Sequence, residues 1–126
     1  MLNIPLTAIL GALAMATGVA AGAFGAHGLK RTLSADMLAI WQTAAHYQLI
    51  HGLGLLALAA LAQHLDGKLA SWSMGLMAAG IVVFSGSLYT LALSGVRTIG
   101  AITPIGGALF IAAWIMLILA AWRGAH

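Results

Sequence analysis

The chain has 126 residues, of which 63% are hydrophobic and 6% charged, with a mean hydropathy of +1.07. A soluble domain carries about a quarter charged residues, and a small fold leaves too much surface for five Lys/Arg and two Asp/Glu to cover. This excludes a soluble or disordered protein, while a net charge of +3 without Cys excludes a nucleic-acid footprint, a disulfide, a thiolate metal site and a Cys nucleophile.

An integral membrane protein remains. A spanning helix needs roughly 20 apolar residues, so the chain has room for four and for no soluble domain. The apolar runs are continuous rather than alternating, which argues against a membrane β-barrel. The fold class is an all-α bundle of four transmembrane helices forming a single domain over 1–126.

The first span is predicted over 4–26. It lacks a Lys or Arg ahead of it and is too long for a signal-peptide core, so it reads as a retained helix. Pro5 sits in its first turn and Gly25 with Gly28 make its stop. Ala14, Gly18, Gly22 and Ala26 recur every four residues along it. Small residues let helix backbones approach closely in lipid. The stripe therefore packs either within the bundle or in a homo-oligomer.

The linker over 27–35 carries His27, Lys30 and Arg31. Ser34 is placed to cap the second helix, with Asp36 in its first turn. Nothing breaks the helical pattern from Ser34 to Leu65, a length of about 48 Å against a hydrocarbon core of about 30 Å. Its start is predicted to be an interfacial amphipathic segment, with Met37, Leu38, Trp41 and Ala45 opposite Asp36 and Thr43. The second span then covers 43–64.

Asp66, Gly67 and Lys68 form a polar turn, and the third span is predicted over 69–93, with Trp72 as an anchor near its start. Ser94 to Arg97 end it. The piece from Thr98 to Thr103 is too short to span and reads as a loop or shallow re-entrant segment. Thr103 and Pro104 then start a fourth span over 104–122, which carries the small pair Gly106 and Gly107. His64 and His126 read as exposed end residues, and mid-membrane Trp114 as packing. The first and third connections hold Lys30, Arg31 and Arg97, against Lys68 and Arg123 on the other side. The positive-inside rule then places both termini outside.

The second helix carries a polar cluster at membrane depth: Gln42, Thr43, His46, Tyr47, Gln48 and His51. Such groups are costly unless they face the bundle or a cavity. Ser85, Ser87, Tyr89 and Thr90 run inward from the same side on the third helix, so Tyr47, His51 and Tyr89 are expected at one depth. His27, Gln42, His46, Tyr47, Gln48, His51, Ser85, Ser87, Tyr89, Arg97 and Thr103 compose the candidate polar pocket. It serves either as a register-fixing hydrogen-bond network or as a pocket for a solute, ion or lipid. Arg97 faces either a lipid phosphate or Asp36. His46 and His51 point about 140° apart on a helix and no HExxH is present. No metal or cofactor is expected, with a His-ligated haem or quinone as a third reading. Ser85, His51 and Asp36 would sit too far apart for a catalytic set, and GxSxG is absent, so the pattern argues against an enzyme.

Four blocks are recognisable together: Gly22-Ala-Phe-Gly-Ala-His-Gly-Leu29; Trp41-Gln-Thr-Ala-Ala-His-Tyr-Gln48 with His51; Phe84-Ser-Gly-Ser-Leu-Tyr89; and Ile102-Thr-Pro-Ile-Gly-Gly107 running to Trp114. In these the chain resembles the small bacterial inner-membrane family called domain of unknown function 423, to which eukaryotic transmembrane protein 256 is similar. The resemblance implies a multi-pass helical protein of the bacterial plasma membrane. It implies no substrate, reaction or catalytic residue. What remains is a non-enzymatic protein with a polar intramembrane pocket, its partners the lipid bilayer, a bound lipid and further copies of itself. The alternative is a structural or accessory subunit of a larger membrane complex.

Overall fold

The computed structural model describes residues 3–124. Four helices follow one another: α1 (Ile4–Leu29), α2 (Ala35–His64), α3 (Gly67–Ser94) and α4 (Arg97–Gly124). Each is long and apolar enough to cross a bilayer. In hydrocarbon every backbone N–H and C=O must find its partner inside the protein, which is why apolar runs of this length become uninterrupted helices.

Three of the four starts are capped by side chains. Asn3 Oδ1 accepts from Leu6 N at 2.8 Å, Ser34 Oγ from Met37 N at 3.2 Å and Asp66 Oδ1 from Leu69 N at 3.0 Å. Pro5 lies in the first turn of α1 and Asp36 in that of α2, as predicted. Gly95 ends α3 in the left-handed region (φ 71°), where a side chain would be strained. At the far end of α4, Asp66 N donates to Ala120 O at 2.9 Å and ties that helix to the α2–α3 turn.

Two ends differ from the sequence expectation. Gly25 and Gly28 do not stop α1, which continues to Leu29 and takes His27 into the helix. Gly25 keeps a right-handed φ of −64°, because a glycine ends a helix only when it leaves that region. Residues 97–101 form a 3₁₀ turn (Arg97–Ala101) that leads into the last helix, rather than a loop or re-entrant segment. His126 lies outside the described residues.

The bundle is built from two hairpins. α1 packs chiefly on α2, and α3 on α4. On α1, Gly11, Ala14 and Gly18 are buried. A Cβ on Gly18 would stand 2.8 Å from Leu49, and one on Gly22 3.5 Å from Ala45. The small-residue stripe thus faces α2 of the same chain and is occupied there. On the apolar side of the start of α2, Trp41 and Ala45 lie against the extended end of α1. Between the hairpins sits a core of Leu55, Leu58, Met74, Met77 and Ala113.

The first helix of each hairpin contains a π-helical turn, Ala20–Gly25 in α1 and Ile81–Ser85 in α3. The second meets α4 at its closest approach: a Cβ on Gly106 would collide with the Phe84 backbone. Gly107 has open space around its Cβ position, so it takes no part in this contact. Gly106→Ala should therefore destabilise the protein by about 1–3 kcal/mol through overpacking, while Gly107→Ala should cost nothing. Thermal unfolding of the two variants in detergent checks this; equal midpoints would refute the close contact.

Candidate functional site

The polar residues of the sequence cluster share a level in the bundle but turn toward different neighbours of α2. Gln48, 7% exposed, points between α1 and α3. Its Nε2 donates to Ala14 O at 2.9 Å and Thr17 Oγ1 at 2.7 Å, and its Oε1 accepts from Tyr89 OH at 2.7 Å. Both amide hydrogens are used, so one side chain joins three helices. Above it, Trp41 sets its ring edge against Tyr89 (centroids 4.6 Å apart) and donates from Nε1 to Ala21 O at 2.8 Å. Ala21 lies in the π turn, and its carbonyl also accepts from Ala26 N.

His46, Tyr47 and His51 turn toward α4 instead. His51 is 4% exposed and stacks on Phe110 of α4 with centroids 3.5 Å apart. Its Nδ1 lies 2.7 Å from Tyr47 O, and its Nε2 lies 3.1 Å from Trp114 Nε1. A carbonyl can only accept and an indole N–H can only donate. The ring is therefore the Nδ1–H tautomer with both nitrogens engaged. Tyr47 packs tilted against Phe84 (4.5 Å) and runs parallel to His51 (6.1 Å).

These rings wall a cleft of about 510 Å³ between α2 and α4, backed by Phe84 of α3. Ile50, Ile111 and Trp114 at its rim are exposed in mid-span, so the cleft opens sideways toward lipid. Gly107 lines it and leaves it room. His46 and Tyr47, both exposed, are the polar groups at its mouth.

The serines hold helices together away from this cleft. Ser85 Oγ donates to Ala44 O at 2.8 Å and Ser73 Oγ to Ala113 O at 2.7 Å. Ser87 Oγ donates to Phe84 O, so the Thr103 hydroxyl, 2.7 Å away, donates to Ser87. Gln42 and His27 are exposed and line neither the cleft nor the Gln48 network. Arg97 Nη2 stands 3.9 Å from Asp36 Oδ2, with the side chains 70% and 83% exposed. That pair is solvated and weak, and it lies outside the cleft. Among the described residues no three His, Asp or Glu side chains gather as a metal site.

Sequence reasoning missed three participants. Trp114 is the hydrogen-bond partner of His51, and its mid-span position was the available signal. Thr17 and Ser73 supply interhelical bonds, yet isolated hydroxyls in apolar helices more often bond to their own backbone.

A protein-family profile described as "Protein of unknown function (DUF423)" matches residues 21–107. Among curated proteins, the chain is 51% identical to a UPF0382 membrane protein of Staphylococcus saprophyticus over 115 residues, covering 91% of this chain and 95% of that one. It is 47% identical to the UPF0382 membrane protein YwdK of Bacillus subtilis over 117 residues, covering 90% and 93%. No solved structure matches.

An interhelical hydrogen bond in a membrane protein contributes about 0.6 kcal/mol on average and at most about 1.7. Tyr89→Phe and Trp114→Phe, each losing one, should destabilise by that amount. Gln48→Leu, losing three, should cost about 2–3 kcal/mol. Unfolding in detergent measures the series; Gln48→Leu no worse than Tyr89→Phe would show that the other two bonds do not hold helices.

Proposed function

The chain belongs to the DUF423 family of membrane proteins, and from that premise we propose that it is a non-enzymatic binding protein of the bacterial plasma membrane. It takes a small amphipathic solute or lipid sideways into the cleft between α2 and α4. The observation that carries this reading is the cleft itself. Its volume of about 510 Å³ falls in the usual range for small-molecule sites, about 300–1,000 Å³, and its walls are apolar and aromatic with few polar groups, as such sites are. The Tyr47 hydroxyl and the His46 ring are placed to receive the polar end of the ligand.

His51 works differently from the polar pocket read off the sequence. With both nitrogens engaged it presents a ring face, not a ligand-binding nitrogen. It shapes the cleft and fixes Trp114 in its wall. A haem or metal at His51 would first have to displace the indole or the Tyr47 carbonyl.

A second reading is favoured by one observation. Among the described residues no buried side-chain nitrogen or oxygen lacks a hydrogen-bond partner. Such a network holds helices in register without any ligand, which suits a structural or accessory subunit. Assembly into homo-oligomers or with other proteins would use the exposed outer face of α4, including Ile115, Ile118 and Trp122, because the stripe of α1 is occupied. In both readings the termini face outward, on the side away from Lys30, Arg31 and Arg97.

Replacing Gly107 by Leu fills the cleft where a Cβ meets nothing within 4 Å. We expect protein purified from its native membrane to carry an amphipathic compound, detected by mass spectrometry of the extracted material. Gly107→Leu should lose it with the unfolding midpoint retained, and Tyr47→Phe with His46→Ala should reduce it about tenfold, a cost of about 1.4 kcal/mol. Identical extracts from wild type and Gly107→Leu would sink the binding reading in favour of the accessory one.

A further inference from the structure

A second opening lies between α1 and α3, with α2 behind it. α1 and α3 touch near one end, where Thr7 Oγ1 meets Met74 Sδ at 3.1 Å. Further along they separate around a groove of about 600 Å³. Leu10, Leu13 and Thr17 form one wall, Ile81 and Val82 the other, and Gln48 lies in the floor. Tyr89 lines its far end, and there Trp41 closes the bundle by bridging Tyr89 and the π turn of α1.

The chemistry of the floor selects the occupant. Gln48 spends both amide hydrogens on Ala14 O and Thr17 Oγ1 and its carbonyl oxygen on Tyr89. Thr17 Oγ1 in turn donates to Leu13 O at 2.8 Å. The groove therefore has no hydrogen to offer, and what fills it is apolar.

Ala78 and Tyr89 both line the groove and stand about 16 Å apart along α3, so the groove runs lengthwise between the two helices. A hydrocarbon chain is the slender apolar body that a bilayer supplies at this depth.

The charge at the Tyr89 end selects the headgroup. Lys30 and Arg31 lie exposed in the α1–α2 connection, and Arg97 starts α4 immediately after α3. Asp36 is the acid near them, 3.9 Å from Arg97. Exposed cations at a membrane boundary attract anionic headgroups. We propose that the groove between α1 and α3 holds one acyl chain of an anionic phospholipid whose phosphate lies on Lys30, Arg31 and Arg97. This site is separate from the α2–α4 cleft and stands whether or not that cleft binds anything.

Native mass spectrometry of the detergent-purified full chain, supplied with phosphatidylglycerol or phosphatidylcholine, tests both halves. Wild type should retain one phosphatidylglycerol in preference to phosphatidylcholine. Gly86 lines the groove and its Cβ position is open, so Gly86→Phe should plug it and lower occupancy at least tenfold. If that variant fails to fold, Val82→Trp at the rim, 72% exposed in the parent, serves instead. The triple change Lys30→Ala, Arg31→Ala, Arg97→Ala should abolish the preference while leaving residual binding of both lipids. Undiminished phosphatidylglycerol in the plugged variant overturns the proposal, as does a preference that survives the triple change. Loss of the lipid in Gly107→Leu but not in Gly86→Phe would assign it to the α2–α4 cleft and likewise overturn the groove.

Discussion

Apolar side chains gain almost nothing by leaving lipid for a protein interior, because lipid tails are as apolar as they are. Everything in this bundle follows from that constraint. Helices must be held by close backbone approach and by hydrogen bonds for which hydrocarbon offers no substitute. α2 is where both means meet. It receives the Gly and Ala stripe of α1, it sends Gln48 to α1 and α3, and its Ala44 carbonyl takes the Ser85 hydroxyl. Removing hydroxyls and amides from such a structure would leave only the close Gly and Ala contacts to set the register of the helices.

This role of α2 explains why two openings exist. A central helix that bonds to three neighbours cannot let all of them also meet one another. Beyond their contact at Thr7 and Met74, α1 and α3 are bridged through Gln48, which leaves the groove beside Tyr89. α2 and α4 are bridged through His51 and Trp114, which leaves the aromatic cleft. The π-helical turns serve the same geometry. One presents the Ala21 carbonyl to Trp41, and the other brings the Phe84 backbone against Gly106. π turns are often found at functional sites, and here the one in α3 lines both openings, through Ile81, Val82 and Ser85 in the groove and Phe84 in the cleft.

The two openings differ in chemistry, though both are lined by apolar side chains. In the groove every polar group is bonded to another, so it suits a hydrocarbon chain. The cleft has a hydroxyl and an imidazole at its mouth, so it suits a molecule with one polar end. The cationic residues at the end of the bundle stand outside both, where a headgroup would lie.

Much of this was legible in the residues. Continuous apolar runs require helices, because backbone groups in hydrocarbon have only one another to bond. Ser34, Asp66 and Pro5 mark helix starts by their chemistry, and Gly95 marks an end. The depth of Tyr47, Gln48, His51 and Tyr89 follows from counting 1.5 Å per residue from the helix ends. Counting along a helix gives level but not partner. Only the packing decided that Gln48 meets α1 and α3 while His51 meets α4, that Trp114 pairs with His51, and that Gly106 but not Gly107 is a contact. Only the packing set Gly25 against Trp41 inside a continuing α1. The sequence by itself determined four membrane helices and the level at which polar groups enter them. Tertiary structure decided which of those groups satisfy one another and which face an opening, because that depends on the rotation of each helix about its axis, and rotation is set by its neighbours.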